Sequence, residues 1–142
     1  MSVESSTSER LLFVNTMRIS PGHLDEFREA IRRAVNFAQQ HAPQLLVDVF
    51  IDEEEMTATS IQIYADSASV VTHWQLSDPY IAEVMRHCTI DRFEVFGTPS
   101  AEVLDGLGRT SGLNAAITPR LVGYIASAAM STDASVSDTA ML

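Results

Sequence analysis

The sequence predicts an α+β fold in the order strand, helix, strand, strand, helix, strand, with its strands in one antiparallel sheet. Three observations carry that prediction. A β-rich run, Leu11 to Ile19, passes through Ser20-Pro21-Gly22 into an amphipathic helix that ends before Pro43. Two further strand-like runs flank the acidic turn Asp52-Glu53-Glu54-Glu55, as in a hairpin. A second helical region then leads to Ile90–Phe96, which Gly97 closes.

Within the first strand, period two places Phe13, Asn15, Met17 and Ile19 on one face and Leu12, Val14, Thr16 and Arg18 on the other. Both faces are apolar near its start, which predicts a central strand. Asn15 is then a polar group in a half-buried position that must find a partner. Pro21 suits a first helical turn and Ser20 a cap. Leu24, Phe27, Ile31, Ala34, Val35 and Ala38 recur at three- and four-residue steps and form one stripe to lay on a sheet. Acidic Asp25, Glu26 and Glu29 precede basic Arg32 and Arg33, the sense the helix dipole favours.

Gln44 to Asp52 and Thr57 to Tyr64 form the hairpin strands, with Thr59, Ile61 and Ile63 sharing a face. Consecutive carboxylates at the tip point different ways, so the acidic turn reads as a solvated loop and no metal site is expected. Asp66-Ser67 caps a helix bearing Val70, Val71 and Trp74. Asp78-Pro79 is expected to break it and start another through Ile81, Val84, Met85 and Cys88. In the fourth strand Ile90, Arg92, Glu94 and Phe96 alternate with Asp91, Phe93 and Val95.

The expected organisation is a flexible segment 1–10, a folded domain 11–97, an extension 98–126 and a mobile tail 127–142. The extension carries a short helix over Ser100–Leu107 through Val103, Leu104 and Leu107, and a fifth strand over Arg120–Ala126.

At 142 residues with 46% hydrophobic and 20% charged residues, the chain has the length and composition of one soluble domain with its own core. It has no membrane-spanning run and its start is unlike a secretory signal, so no membrane partner and a cytoplasmic location are expected. A net charge of −10 opposes a nucleic-acid partner. Cys88 is the single cysteine, lacks ligand-like neighbours at zinc spacing and reads as a small buried apolar residue.

Two strand-helix-strand units around a hairpin match a ferredoxin-like βαββαβ sheet with both helices on one face. Leu46, Phe50, Ile61, Ile63, Phe93 and Val95 place apolar residues on both sides of several strands, so the second face needs a cover. A second copy of the chain, giving a homodimer with two sheets closed into a barrel, supplies it.

Over Leu11–Gly97 the chain resembles the dimeric α+β barrel superfamily, and within it the antibiotic-biosynthesis-monooxygenase-like proteins. Asn15 seven positions before Gly22, the Pro21-Gly22 start of the first helix, and Ser69-Val70-Val71-Thr72-His73-Trp74-Gln75-Leu76-Ser77-Asp78 carry the resemblance. Cofactor-free members of that family oxidise aromatic polyketides, others oxidise quinols, and one branch degrades haem. The resemblance implies site roles for Asn15 and Trp74. The haem branch needs a histidine ten positions after the tryptophan, where this chain has Val84, and that departure argues against haem degradation. His87 lies three residues further on. The tryptophan-plus-acid pattern after the third strand is replaced by Tyr64-Ala65-Asp66.

Each candidate has a structural reading beside its functional one. Trp74 is either a core residue on the sheet or a wall of a pocket. Asn15 either completes a structural hydrogen bond or orients a bound carbonyl or peroxide. His73, beside Trp74, is a candidate base, and His87 and Tyr64 are candidate substrate contacts. Arg92 either pairs with Glu94 inside the barrel or binds an anionic substrate. No catalytic serine triad, phosphate loop or dinucleotide fingerprint is present.

Three functions follow. One is a cofactor-independent monooxygenase, without metal, acting on an aromatic or quinol-like molecule through Asn15, Trp74 and His73. Another is a non-catalytic dimeric barrel that binds a small apolar ligand or serves as an assembly unit. The third, a regulatory amino-acid-binding domain, lacks an attached enzyme in this chain.

Overall fold

The computed structural model describes residues 9–109 and 113–126, so the segment 1–8 and the tail 127–142 lie outside the described residues. The elements are β1 (Leu11–Ile19), α1 (Leu24–His41), β2 (Gln44–Asp52), β3 (Thr57–Tyr64), α2 (Ser67–Met85), β4 (Cys88–Phe96), α3 (Ala101–Gly108) and β5 (Ala116–Thr118). One sheet runs β2-β3-β1-β4-β5. Its first four strands pair antiparallel and β5 joins β4 in parallel. The fold is therefore the expected ferredoxin-like α+β arrangement, with β1 central and a C-terminal extension added at the β4 edge.

Local chemistry departs from expectation in four places. Ser20-Pro21-Gly22 forms a turn, closed by His23 N–H donating to Ser20 O at 2.9 Å, and α1 starts after it. Gly22 takes a φ of 82°, which suits the third position of a type II turn with Pro21 before it. The second helix is continuous, with Pro79 inside it. Asp66 caps it, accepting from Ser69 N–H at 2.9 Å, and buried positions on both sides of the proline, from Val70 to Val84, hold the helix on the sheet. Packing outweighs the one backbone hydrogen bond that proline removes.

The third departure lies in β4. Its register against β1 shifts between Thr16 and Met17, where Arg92 pairs with Thr16 and Ile90 with Met17. This bulge turns Ile90 to the same side as Phe93 and Val95, where simple alternation had it beside Arg92. The fourth is the fifth strand, which is Ala116–Thr118; residues 119–126 carry no regular structure and Leu121, Val122 and Tyr124 are exposed.

The core falls into two clusters on the helical face of the sheet. One joins Leu11, Phe13, Tyr64, Val70 and Val95 to Val103 and Leu107 of α3. The other joins Met17, Ile19, Ala58 and Cys88 to Phe27 and Ala30 of α1 and Val84 of α2. Cys88 is buried, which pushes its thiol up to about 11, as expected of a small packing residue. The opposite face of the sheet carries Leu12, Val14, Ile61, Ile63, Leu46 and Phe50 by register, and no element covers it among the described residues. Phe50 is 56% exposed and Leu46 37%.

A polar layer and a cavity in the core

On β1, Asn15 stands between Phe13 of the first cluster and Met17 of the second. Its strand partners are Ser60 on β3 and Phe93 on β4. The inward face of β3 therefore reads Ala58, Ser60, Gln62, Tyr64, apolar only at one end. On α2 the buried positions include His73 and Ser77. Polar residues from three elements thus meet at one level of the core, and there the packing opens.

The opening is a cavity of about 340 Å³ between the sheet and the helices. Its walls are mainly apolar: Ile31, Ala34 and Val35 of α1, Trp74 and Ile81 of α2, Phe13, Met17 and Phe93 of the sheet. Asn15, Gln44, Ser60, Gln62, Tyr64, His73, Ser77 and Asp78 supply the polar atoms. That size and mixture suit a small organic molecule. Among the described residues Asp78 is the one carboxylate lining it and no lysine or arginine does, so the cavity disfavours an anionic ligand.

A chain of hydrogen bonds organises one wall. Gln44 Nε2 donates to Gln62 Oε1 at 2.7 Å and to the Tyr64 hydroxyl at 3.3 Å; Tyr64 donates to Gln62 Oε1 at 2.5 Å; Gln62 Nε2 donates to Ser60 Oγ at 2.9 Å. Burial pushes the Tyr64 phenol well above its ordinary range, more than its bond with Gln44 lowers it, so it remains a protonated donor. Two buried acceptors, Asn15 Oδ1 and Gln44 Oε1, have no partner among the described residues. A buried carbonyl without a donor is destabilising by roughly 1–3 kcal/mol. Both border the cavity.

His73 is 9% exposed and shares a 3.0 Å hydrogen bond between Nδ1 and Ser77 Oγ. Burial pulls its pKa down to about 4, which keeps the ring neutral through the physiological range. Tyr64 lies beside it, with ring centroids 6.0 Å apart.

The structure thus brings together Asn15, Tyr64, His73 and Trp74 and leaves two candidates elsewhere. α2 ends at Met85, so His87 falls in the following turn, where its Nδ1 meets His23 Nδ1 at 3.0 Å and its Nε2 meets Glu83 Oε2 at 3.2 Å. The bond from His87 holds the Glu83 carboxyl below its usual range, with Arg86 and Arg33 adding to it. Arg92 projects from the uncovered face, pairing with Glu94 at 3.0 Å with its side chain 70% exposed. Gln44, Ser60, Gln62 and Ser77 had gone unnoticed in the sequence. For Ser60 and Gln62 the signal was their alternation with apolar Ile61 and Ile63, once the helical face is known. Among the described residues no group of three or more His, Cys, Asp or Glu is placed to hold a metal ion, and no helix is long and apolar enough to cross a membrane.

The fold is a ferredoxin-like α+β arrangement, and in fold the chain is similar to several solved structures. MupZ from Pseudomonas fluorescens superposes with a TM-score of 0.66 at 15% identity, over 82% of this chain and 94% of that one. SnoaB, a cofactor-independent oxygenase from Streptomyces nogalater, gives 0.55 at 14% identity over 66% and 96%. A candidate antibiotic biosynthesis monooxygenase from Caulobacter crescentus gives 0.54 at 14% over 65% and 93%. No family model matches the sequence, and no curated protein matches it.

Proposed function

We propose that the chain is a cofactor-independent monooxygenase acting on a neutral aromatic or quinol-like molecule held in the cavity. The observation that carries this reading is Asn15, whose buried carbonyl has no hydrogen-bond partner among the described residues, in the wall of a mainly apolar opening that Trp74 and His73 also line. A polar group kept in a core at such a free-energy penalty is accounted for when a ligand completes it. The likeness to SnoaB, itself a cofactor-independent oxygenase, adds support.

In this reading Trp74 packs against the ring system and Asn15 orients its oxygen substituent. His73, neutral and desolvated, takes a proton from an activated C–H of the substrate. The carbanion so formed passes an electron to dioxygen, the radical pair joins as a peroxide anion that recovers the proton from His73, and the hydroperoxide loses water with the second hydrogen of that carbon to leave a carbonyl. The substrate is the reductant and dioxygen the oxidant, which balances the step without a bound cofactor. The low basicity of His73 restricts such chemistry to substrates that give a well-stabilised carbanion.

The active form is a homodimer in which the uncovered sheet faces of two copies close a barrel across a two-fold axis. The exposed Phe50 and Leu46 support it, since monomers rarely leave a contiguous apolar sheet face in water.

Oxygen uptake with anthrone as substrate tests the enzyme reading. The wild-type protein is expected to accelerate uptake above the spontaneous rate, and Asn15→Ala to lower that acceleration about tenfold, a change of about 1.4 kcal/mol in the barrier. The burial of His73 favours one alternative, a non-catalytic barrel that binds apolar ligands. Anthrone binding by calorimetry with no acceleration of uptake would establish that alternative in its place.

A further inference from the structure

α3 lies outside the βαββαβ unit, yet it forms part of the cavity wall through Gly106 and Leu107. Its contact with Trp74 is unusually close. A Cβ built at Gly106 would stand 2.3 Å from Cζ3, 2.9 Å from Cη2 and 3.2 Å from Cε3 of the indole, inside the ordinary carbon–carbon separation of about 3.5–4.0 Å. One partner would have to move.

Which one moves follows from how each is held. α3 is anchored by Val103 at 0% exposure and Leu107 at 6%, by Ser100 Oγ accepting from Val103 N–H at 3.2 Å, and by Ser100 N–H donating to Ser67 Oγ at 2.9 Å. Trp74 is only partly buried and borders open space on two sides. It lines the inner cavity, and it also lines a polar surface cleft of about 450 Å³ with Gln75, Glu102 and Arg109. The indole is thus a partition between cavity and cleft, and it is the yielding partner.

We propose that Gly106 is a specificity-determining residue. Having no side chain, it lets the Trp74 indole lie back against α3, and so sets the size of the ligand the cavity admits. A side chain at this position presses the ring into the cavity and shortens it. The inference rests on the cavity being the ligand site, as proposed above.

Calorimetric titration with two neutral probes, 1-naphthol with two fused rings and 9-phenanthrol with three, reads the effect. In Gly106→Ala the Kd for 9-phenanthrol should rise tenfold or more while that for 1-naphthol changes less than threefold. Changing Trp74→Phe in addition replaces the fused indole by one shorter ring that does not reach Gly106 as the indole does, so the double variant should bind 9-phenanthrol as the Trp74→Phe single variant does. Equal weakening of both probes, no change in either, or a loss that persists in the double variant would overturn the proposal. Should Gly106→Ala not fold alone, the double variant, whose clash has been relieved, decides by the same comparison. If the wild-type protein binds neither probe, the ligand-site reading fails by itself. Acrylamide quenching of Trp74, the sole tryptophan, then decides the packing: altered accessibility in Gly106→Ala supports the displaced indole, and unaltered accessibility refutes it.

Discussion

Asn15 is a residue whose structural and functional roles pull apart. Its carbonyl is buried without a donor, so replacing it by an apolar residue of strand-forming shape removes an unpaired group and fills part of the cavity. Asn15→Val is accordingly expected to raise the free energy of unfolding in urea by about 1 kcal/mol while abolishing the acceleration of anthrone oxidation; a destabilised variant would show that Asn15 serves the fold. His73 gives a pH signature. Its ring stays neutral in the folded chain down to about 4, whereas the ordinary value is 6.5. Between those values the unfolded chain binds the extra proton, so this group's contribution is fully present above pH 6.5 and is lost as pH falls toward 4, with a slope of at most about 1.4 kcal/mol per pH unit. His73→Gln should flatten the fall in urea-measured stability between pH 7 and 5; an unchanged fall would place the titration elsewhere. The positions of Asn15 and Trp74 on apolar stripes were legible in the sequence, while site roles for them came from the resemblance alone. Gln44 was not legible, because its role arises from a hydrogen-bond chain between strands that no local spacing encodes.

Among the elements, order and type could be read from periodicity, and the departures occur where packing or pairing overrides it. α2 runs through Pro79 because its buried residues continue on the same face beyond the break that local propensity suggests. Proline leaves the helix without one N–H donor, so Pro79→Ala should raise stability by about 1–3 kcal/mol, measured as an upward shift of the urea midpoint with unchanged slope. No gain would mean that the helix is already distorted there in compensation. The β4 bulge explains Ile90 in the same terms. Alternation counts residues correctly only while the register holds, and the shift opposite Thr16/Met17 moves Ile90 to the inward face while Arg92 stays outward with Glu94 and Phe96. His87 was out of reach for a related reason, since helical spacing from Trp74 has no meaning beyond the helix end at Met85.

At the scale of the molecule, the sheet has one face packed by α1, α2 and α3 and one face with nothing on it among the described residues. The helical face holds the cavity, and the other holds Leu12, Val14, Leu46, Phe50, Ile61 and Ile63 with the Arg92–Glu94 pair beside them. Burying this face against its own copy would remove each of these side chains from water at about 25 cal/mol per Å² of apolar area, the driving force for a symmetric pair. It would also stiffen β1, which carries Asn15 on its inward side and Leu12 and Val14 on its outward side, so that the proposed dimer would link its own formation to the geometry of the cavity through one strand. Phe50, at 56% exposure, tests the arrangement with little effect on the monomer's own core. In Phe50→Lys, two-fold symmetry brings in one new charge from each copy, and sedimentation velocity should show the dimer giving way to monomer at micromolar concentration. Near-ultraviolet circular dichroism should stay native. A wild-type chain that sediments as a monomer at that concentration would refute the covered face.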